Sequence, residues 1–239
     1  MKMLLAAVSM FFLFAAPARA AESLLAARLA DVIGRVSARV SSTAPWVQVK
    51  SGAMLAAGGE VKTEVGSGVV IVFSDGNKVF LAPRTTFAVE GATTLKTSLR
   101  LFSGRIECWV KRTNNANFAV RHRSAVASVR GTVFAMEGTD SAVKIDLFSG
   151  GLDIVDSFGR PSSLTSGQRA EVAQDTGLQG ISTLPPDAVA PKEPDVAPPP
   201  PPPADMSAKD DGTPPEDKPA EDPEKQADAD EPVDAPPPN

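Results

Sequence analysis

The chain has 239 residues and a net charge of −5, with 42% hydrophobic and 22% charged residues. That is enough for one domain with a tail. One cysteine excludes an intramolecular disulfide framework, and one histidine with no tyrosine excludes most catalytic sets built on those residues.

The charge is unevenly spread. From Pro185 onward there are 4 Lys+Arg and 15 Asp+Glu, which leaves 20 and 14 of the chain's 24 and 29 for residues 1–184. Eighteen of the 22 prolines also lie at or beyond Pro185, and every Phe and Trp lies before it. A segment so poor in apolar groups cannot offset its ordering entropy, so 185–239 is expected to be a disordered Pro/Asp/Glu-rich tail. Residues 173–184 are expected to link it to the body.

Met1-Lys2-Met3 is a short basic start, and Leu4 to Ala16 is an apolar run of 13 residues. Ala18 and Ala20 fit a signal peptidase site, with cleavage after Ala20. Thirteen residues are too few for a hydrocarbon core that needs about 20. The expectation is a cleaved export leader at 1–20 and no transmembrane span in the mature protein. The localisation it implies is periplasmic, with secretion or outer-envelope association as the alternatives.

After a lead-in at 21–30, with a helical turn or two from Glu22 to Ala30, strand signals begin. Val36, Ala38 and Val40 alternate with polar residues, and Trp46-Val47-Gln48-Val49 follows a Ser/Thr/Pro break. Glu60 to Thr63 alternates again, and Val69 to Phe73 is a continuous apolar run. Ser74-Asp75-Gly76-Asn77 is a hairpin turn, with Asp-Gly supplying positive φ angles. Val79 to Leu81 and Phe87 to Val89 come next, split by Pro83. The tetrapeptide Leu-Phe-Ser-Gly occurs at 101–104 and again at 147–150. Turn glycines at Gly52, Gly76, Gly104, Gly131, Gly150 and Gly167 are too unevenly spaced for a strict repeat. The body, 31–172, is expected to be all-β: many short strands in a twisted sandwich or solenoid-like stack.

The stretch Ser124 to Met136 stands out. Arg130-Gly131-Thr132 interrupts an apolar alternation, and a glycine there marks a bulge or a close backbone approach. Leu55 to Thr63, Phe73-Ser74-Asp75-Gly76, Leu81-Ala82-Pro83, Phe102-Ser103-Gly104, Val129-Arg130-Gly131-Thr132-Val133-Phe134 and Ser166-Gly167-Gln168 together resemble the FecR domain family, in order, across 31–172. The resemblance implies a structural role for Asp75, Gly76, Arg130, Gly131 and Thr132. FecR proteins of iron-siderophore signalling have a cytoplasmic anti-sigma segment, one membrane span, this periplasmic domain and a further signalling domain. With a cleaved leader, the expectation here is a stand-alone exported module that binds or scaffolds envelope macromolecules, and the transmembrane signalling role does not carry over.

No catalytic, cofactor or metal site is expected. His122 lies between Arg121 and Arg123, a poor setting for a general base. One His and one Cys are too few for a metal centre of their own, and no phosphate-binding glycine loop is present. The basic residues from Lys96 to Arg130 face Glu107 alone. They are either solvated strand-face residues or a partner- or anion-binding strip of Arg100, Arg105, Lys111, Arg112, Arg121, Arg123 and Arg130. Arg130 favours a structural pairing with a carboxylate or strand carbonyls over ligand contact. The strip's partner is expected to be an envelope protein or an anionic envelope polymer. Nucleic acid is not expected, because aromatics do not interleave with the charges. A second function is envelope polysaccharide or peptidoglycan binding, using the strip with Trp46 and Trp109, although Trp109 reads as core. Cys108 is either a buried small apolar residue or half of an intermolecular bridge, with burial favoured.

The tail includes six consecutive prolines, Pro198 to Pro203. At ~3.1 Å per residue its 55 residues reach on the order of 150 Å in polyproline II form. It is a spacer or a proline-rich ligand for a partner's groove.

Overall fold

The structure is a computed structural model that describes residues 27–93, 96–112 and 117–200. The expected leader at 1–20 and the tail beyond Pro200 lie outside the described residues.

The described residues form fifteen strands and no helix. In chain order these are β1 (Ala27–Ile33), β2 (Val36–Arg39), β3 (Val47–Gln48), β4 (Met54–Leu55), β5 (Glu60–Thr63), β6 (Gly68–Phe73), β7 (Lys78–Leu81) and β8 (Thr86–Ala92). There follow β9 (Lys96–Val110), β10 (Asn117–Arg121), β11 (Ala125–Gly138), β12 (Ala142–Asp156), β13 (Pro161–Thr165), β14 (Gln168–Ala173) and β15 (Gly177–Thr183). The body is all-β, as its alternating sequence predicts.

All strands belong to one hydrogen-bonded sheet, whose main path runs β15-β14-β12-β11-β10-β9-β7-β6-β1-β4. The sheet forks at β9. Residues 97–103 of β9 pair with β8, which leads to β5, β2 and β3, while residues 106–109 pair with β7. Only the β9–β10 pair is parallel. Both branches contribute to one apolar core. Phe73, Phe87 and Phe134 are fully buried in it, among Leu29, Ile71, Leu101, Ile106, Met136 and Ile145. Burying each such side chain contributes about 1.5–3 kcal/mol.

The strands are not uniformly short. β9 and β12 have 15 residues and β11 has 14, and each changes inward parity at a glycine. In β9 the buried positions are Leu99 and Leu101 before Gly104, then Ile106 and Cys108 after it. In β11 they are Ala125, Ala127 and Val129 before Gly131, then Thr132, Phe134 and Met136. In β12 they are Val143, Ile145 and Leu147 before Gly150, then Leu152 and Ile154. All three glycines have positive φ, at 96°, 65° and 91°. An extra residue at such a bulge bends the strand and exchanges its faces. The repeated Leu-Phe-Ser-Gly is therefore one device used twice, and Arg130-Gly131-Thr132 is its third instance.

The Asp75-Gly76 turn closes β6 onto β7. Gly76 takes φ 84°, and the Asp75 carboxylate accepts from Asn77 N at 2.9 Å and Nδ2 at 2.8 Å. Ala27 to Ala30, expected in a helical turn, are strand. Ala27 and Leu29 pair with Phe73 and Ile71 and are buried, so tertiary pairing overrides the local preference. Trp109 is the other departure. Its neighbours Cys108 and Val110 enter the core, so the indole lies on the sheet's outer face. It is nevertheless only 5% exposed, because residues following β15 cross over it.

Candidate binding groove

The sequence strip does not form one surface. Arg100, Arg121 and Arg123 line a groove of about 700 Å³ together with Arg39, Trp46 and Phe102. β2, the loop before β3, the first half of β9, the end of β10 and the turn that follows it supply these side chains.

Two aromatic rings in the groove are partly open, Trp46 at 38% and Phe102 at 40% exposure. The Arg39 guanidinium lies 4.5 Å from the Trp46 ring centroid, and that of Arg100 lies 5.8 Å from Phe102. Glu60, itself buried, accepts from Arg39 Nε at 3.0 Å and Nη2 at 2.6 Å. Glu90 serves two arginines, Arg100 at 2.5 Å and Arg121 at 3.5 Å, and also accepts from Ser98 at 3.0 Å. Arg123 forms no ion pair with the described residues. The groove thus keeps unneutralised positive charge beside two aromatic faces, a setting that attracts anionic, partly apolar groups.

His122 closes one end, and it is a structural group. The Ser124 amide donates to Nδ1 at 3.1 Å, which places the ring proton on Nε2, where it donates to Thr139 O at 2.9 Å. Burial, more than the neighbouring Arg123 charge, pushes its pKa down, against the opposing pull of Thr139 O and Asp140. A Cβ on Gly138 would come within 2.8 Å of the ring, so that glycine lets the imidazole lie flat on β11.

The other strip residues lie elsewhere. Arg112 and Arg130 line a second depression with Asn117, Asp153 and Ser163. Arg130 has no carboxylate partner among the described residues and donates to Asn117 Oδ1 at 3.2 Å. Neither the carboxylate nor the strand-carbonyl pairing expected for it is found among the described residues, because Arg130 alternates with the buried Val129 and lies on the open face of β11. Thr132 is buried, and Gly131 packs against Arg112. Arg105 pairs with Glu107 at 3.3 Å and Glu137 at 3.7 Å. The Lys111 side chain lies against the Gly76 turn, and its amide donates to Asn77 Oδ1 at 2.8 Å. Sequence reading missed Arg39 and Phe102 as groove residues. Their signal was weak, since they lie about 60 residues apart and only the β2–β5–β8–β9 pairing joins them.

Cys108 is fully buried in the core, and burial pushes its thiol pKa well up. Among the described residues, no three of His, Cys, Asp and Glu converge as metal ligands. No helix among them is long and apolar enough to cross a membrane.

No curated protein is significantly similar to the chain. Two crystal structures of a candidate anti-sigma factor from Parabacteroides distasonis are similar at 20% identity and a TM-score of 0.46. The similarity covers 52% of this chain and 58% of that one. The family model described as FecR protein matches residues 59–153, from the start of β5 to the bent half of β12 that follows Gly150. Residues 59–153 of the chain are therefore similar to the FecR family.

Proposed function

We propose that the chain is a non-catalytic binding module of the cell envelope, exported to the periplasm, which contacts an acidic partner protein through the Arg39–Trp46–Arg100–Phe102–Arg121 groove as part of envelope signalling. The single observation that carries this is the groove itself: several arginines held around two partly open aromatic rings. Arginine and aromatic residues are the usual anchors of protein contacts. The similarity to the FecR family supports the signalling context. Asp75, Gly76, Gly131 and Thr132 keep structural roles in this reading, while Arg112 and Arg130 stand outside the contact.

The exposed Trp46 favours a second reading, in which the groove takes a carboxylated envelope polysaccharide by stacking sugars on the indole. A photo-reactive residue in place of Phe102, in cells exporting the chain, separates the two. A discrete cross-linked protein, lost in the Arg100→Glu/Arg121→Glu variant, supports the first. Cosedimentation with purified peptidoglycan that is lost in Trp46→Ala, without a cross-linked protein, supports the second.

A further inference from the structure

Residues 191–197, which follow β15, cross the sheet's outer face as a strap, on a surface that shares no residue with the arginine groove. Three of the strap's carbonyls accept hydrogen bonds from sheet side chains. Trp109 Nε1 donates to Pro191 O at 3.2 Å, Lys78 Nζ to Pro194 O at 2.6 Å, and Arg28 Nη2 to Ala197 O at 2.5 Å. Glu193 pairs with Lys78 at 2.8 Å, and Val196 packs with Phe80 on Ala30, Val70 and Val72. Among the described residues no backbone-to-backbone hydrogen bond ties the strap to a strand. Side chains alone hold it, so it can leave without breaking the sheet.

Arg28 marks the strap as an incomplete ligand. Its Nε is buried and has no hydrogen-bond partner, a costly state for a donor. Elsewhere in the sheet the same Nε–Nη2 edge of an arginine grips a carboxylate. Arg169 takes the two oxygens of Asp146, at 2.5 and 2.8 Å, and Arg39 binds Glu60 through the same two nitrogens. That edge is built for two oxygens side by side. At Arg28 it receives one, the Ala197 carbonyl. A chain that ended at this position would bring a carboxylate there, with one oxygen in the place of Ala197 O and a second for Nε.

We propose that the outer face of β1, β6, β7 and β9 binds the C-terminus of a partner protein, with the strap as a built-in competitor. The ligand sets an acidic residue at Lys78 and a valine on Ala30, Val70 and Val72, as the strap does. It ends in a small residue whose carboxylate fills the Arg28 edge, which the strap cannot do. Pro199, buried just beyond Ala197, is the contact such a ligand gives up for the charge-assisted pair. Only seven residues separate β15 from Pro191. This short tether keeps the strap at high local concentration and sets the affinity a partner must exceed.

The test uses the full chain with Trp46→Phe, so that Trp109 is the sole tryptophan, and Val196→Asp to release the strap. Acrylamide quenching of Trp109 should rise several-fold on that release. The probe is a fluorescein-labelled peptide of the strap's sequence, PKEPDVA, with either a free C-terminal carboxylate or an amide, followed by anisotropy. The released chain should bind the carboxylate form at least tenfold more tightly than the amide. Arg28→Gln should remove that difference, and the chain with Val196 intact should bind at least tenfold more weakly. Glu193→Ala/Val196→Ser repeats the reading without a new charge on the sheet. Equal affinity for the two forms overturns the proposal, as does a released chain that binds neither or keeps Trp109 shielded. An amidated PKEPDVEPP peptide that binds as tightly as the carboxylate form puts an internal acidic side chain on Arg28 and contradicts a terminus. A dimer in sedimentation that the peptide dissolves places a second copy's strap on this face and contradicts a separate partner.

Discussion

The Arg39 guanidinium lies 4.5 Å over the Trp46 ring while Glu60 binds two of its nitrogens, at 3.0 and 2.6 Å. Arg39 and Glu60 face each other across the β2–β5 pair, and Glu60 is 6% exposed. The ion pair therefore fixes the cation that covers one face of the indole. Replacing Glu60 with Ala strands a largely buried guanidinium and is expected to cost about 1–3 kcal/mol. Chemical denaturation measures that cost, and the Trp46 emission should change in the folded state.

The bend glycines set the strand faces, so Gly104 is expected to be the most sensitive of the three. Its φ is 96°, and a Cβ there would lie 2.5 Å from the Thr85 Cα. Thr85 is itself pinned. Its hydroxyl donates to Arg105 O and accepts from Arg105 N, both at 3.1 Å, and its amide donates to Thr63 Oγ1 at 2.9 Å. Gly104→Ala should destabilise the body by about 2 kcal/mol or more, read as a lowered denaturation midpoint. Gly52→Ala, where nothing lies within 4 Å, meets the same φ penalty without the clash and should cost less.

Asp156 makes stability depend on pH at the acid end. Burial pushes its carboxyl up, but the Arg160 guanidinium and the amides of Arg160, Leu178 and Phe158 outweigh it and hold it at about 2. Because the folded value lies below the ordinary 3.8, the contribution is complete above 3.8 and is lost as pH falls towards about 2. Acid titration of unfolding should show this loss in the native chain, and Asp156→Asn should remove it. His122 acts higher. Its depressed pKa means that its contribution is present above the ordinary 6.5 and declines as pH falls below it. His122→Gln should flatten that limb of the stability curve.

Cys108 is expected to be inert in the folded chain. It is fully buried, and burial holds the thiol protonated. A thiol reagent should label it only on denaturation, and non-reducing electrophoresis of native protein should show no linked dimer.

Much of the fold is legible in the sequence because turn chemistry is local. Asp75-Gly76 names its hairpin, and Leu-Phe-Ser-Gly and Arg-Gly-Thr name the bends. What those bends do to the strand faces is not local. Read as one run of basic residues, Arg100, Arg105 and Lys111 belong to a common strip, yet the fork of the sheet along β9 sends them to different sites. Trp109 reads as core because it alternates with apolar neighbours. It lies instead on the outer face, and a segment 82 residues later shelters it. Ala27 to Ala30 read as helical because alanine and leucine favour helices, whereas pairing with β6 makes them strand.

The groove account rests on the arginines acting as two groups, one that binds and one that does not. The most direct test compares partner capture from native envelope by Arg100→Glu/Arg121→Glu with capture by Arg112→Glu/Arg130→Glu. Both pairs carry the same change in charge. Binding should fall at least about tenfold in the first, a loss of roughly 1.4 kcal/mol or more, and stay near the native level in the second. Equal losses in the two would show that only overall charge matters, and would contradict a site in this groove.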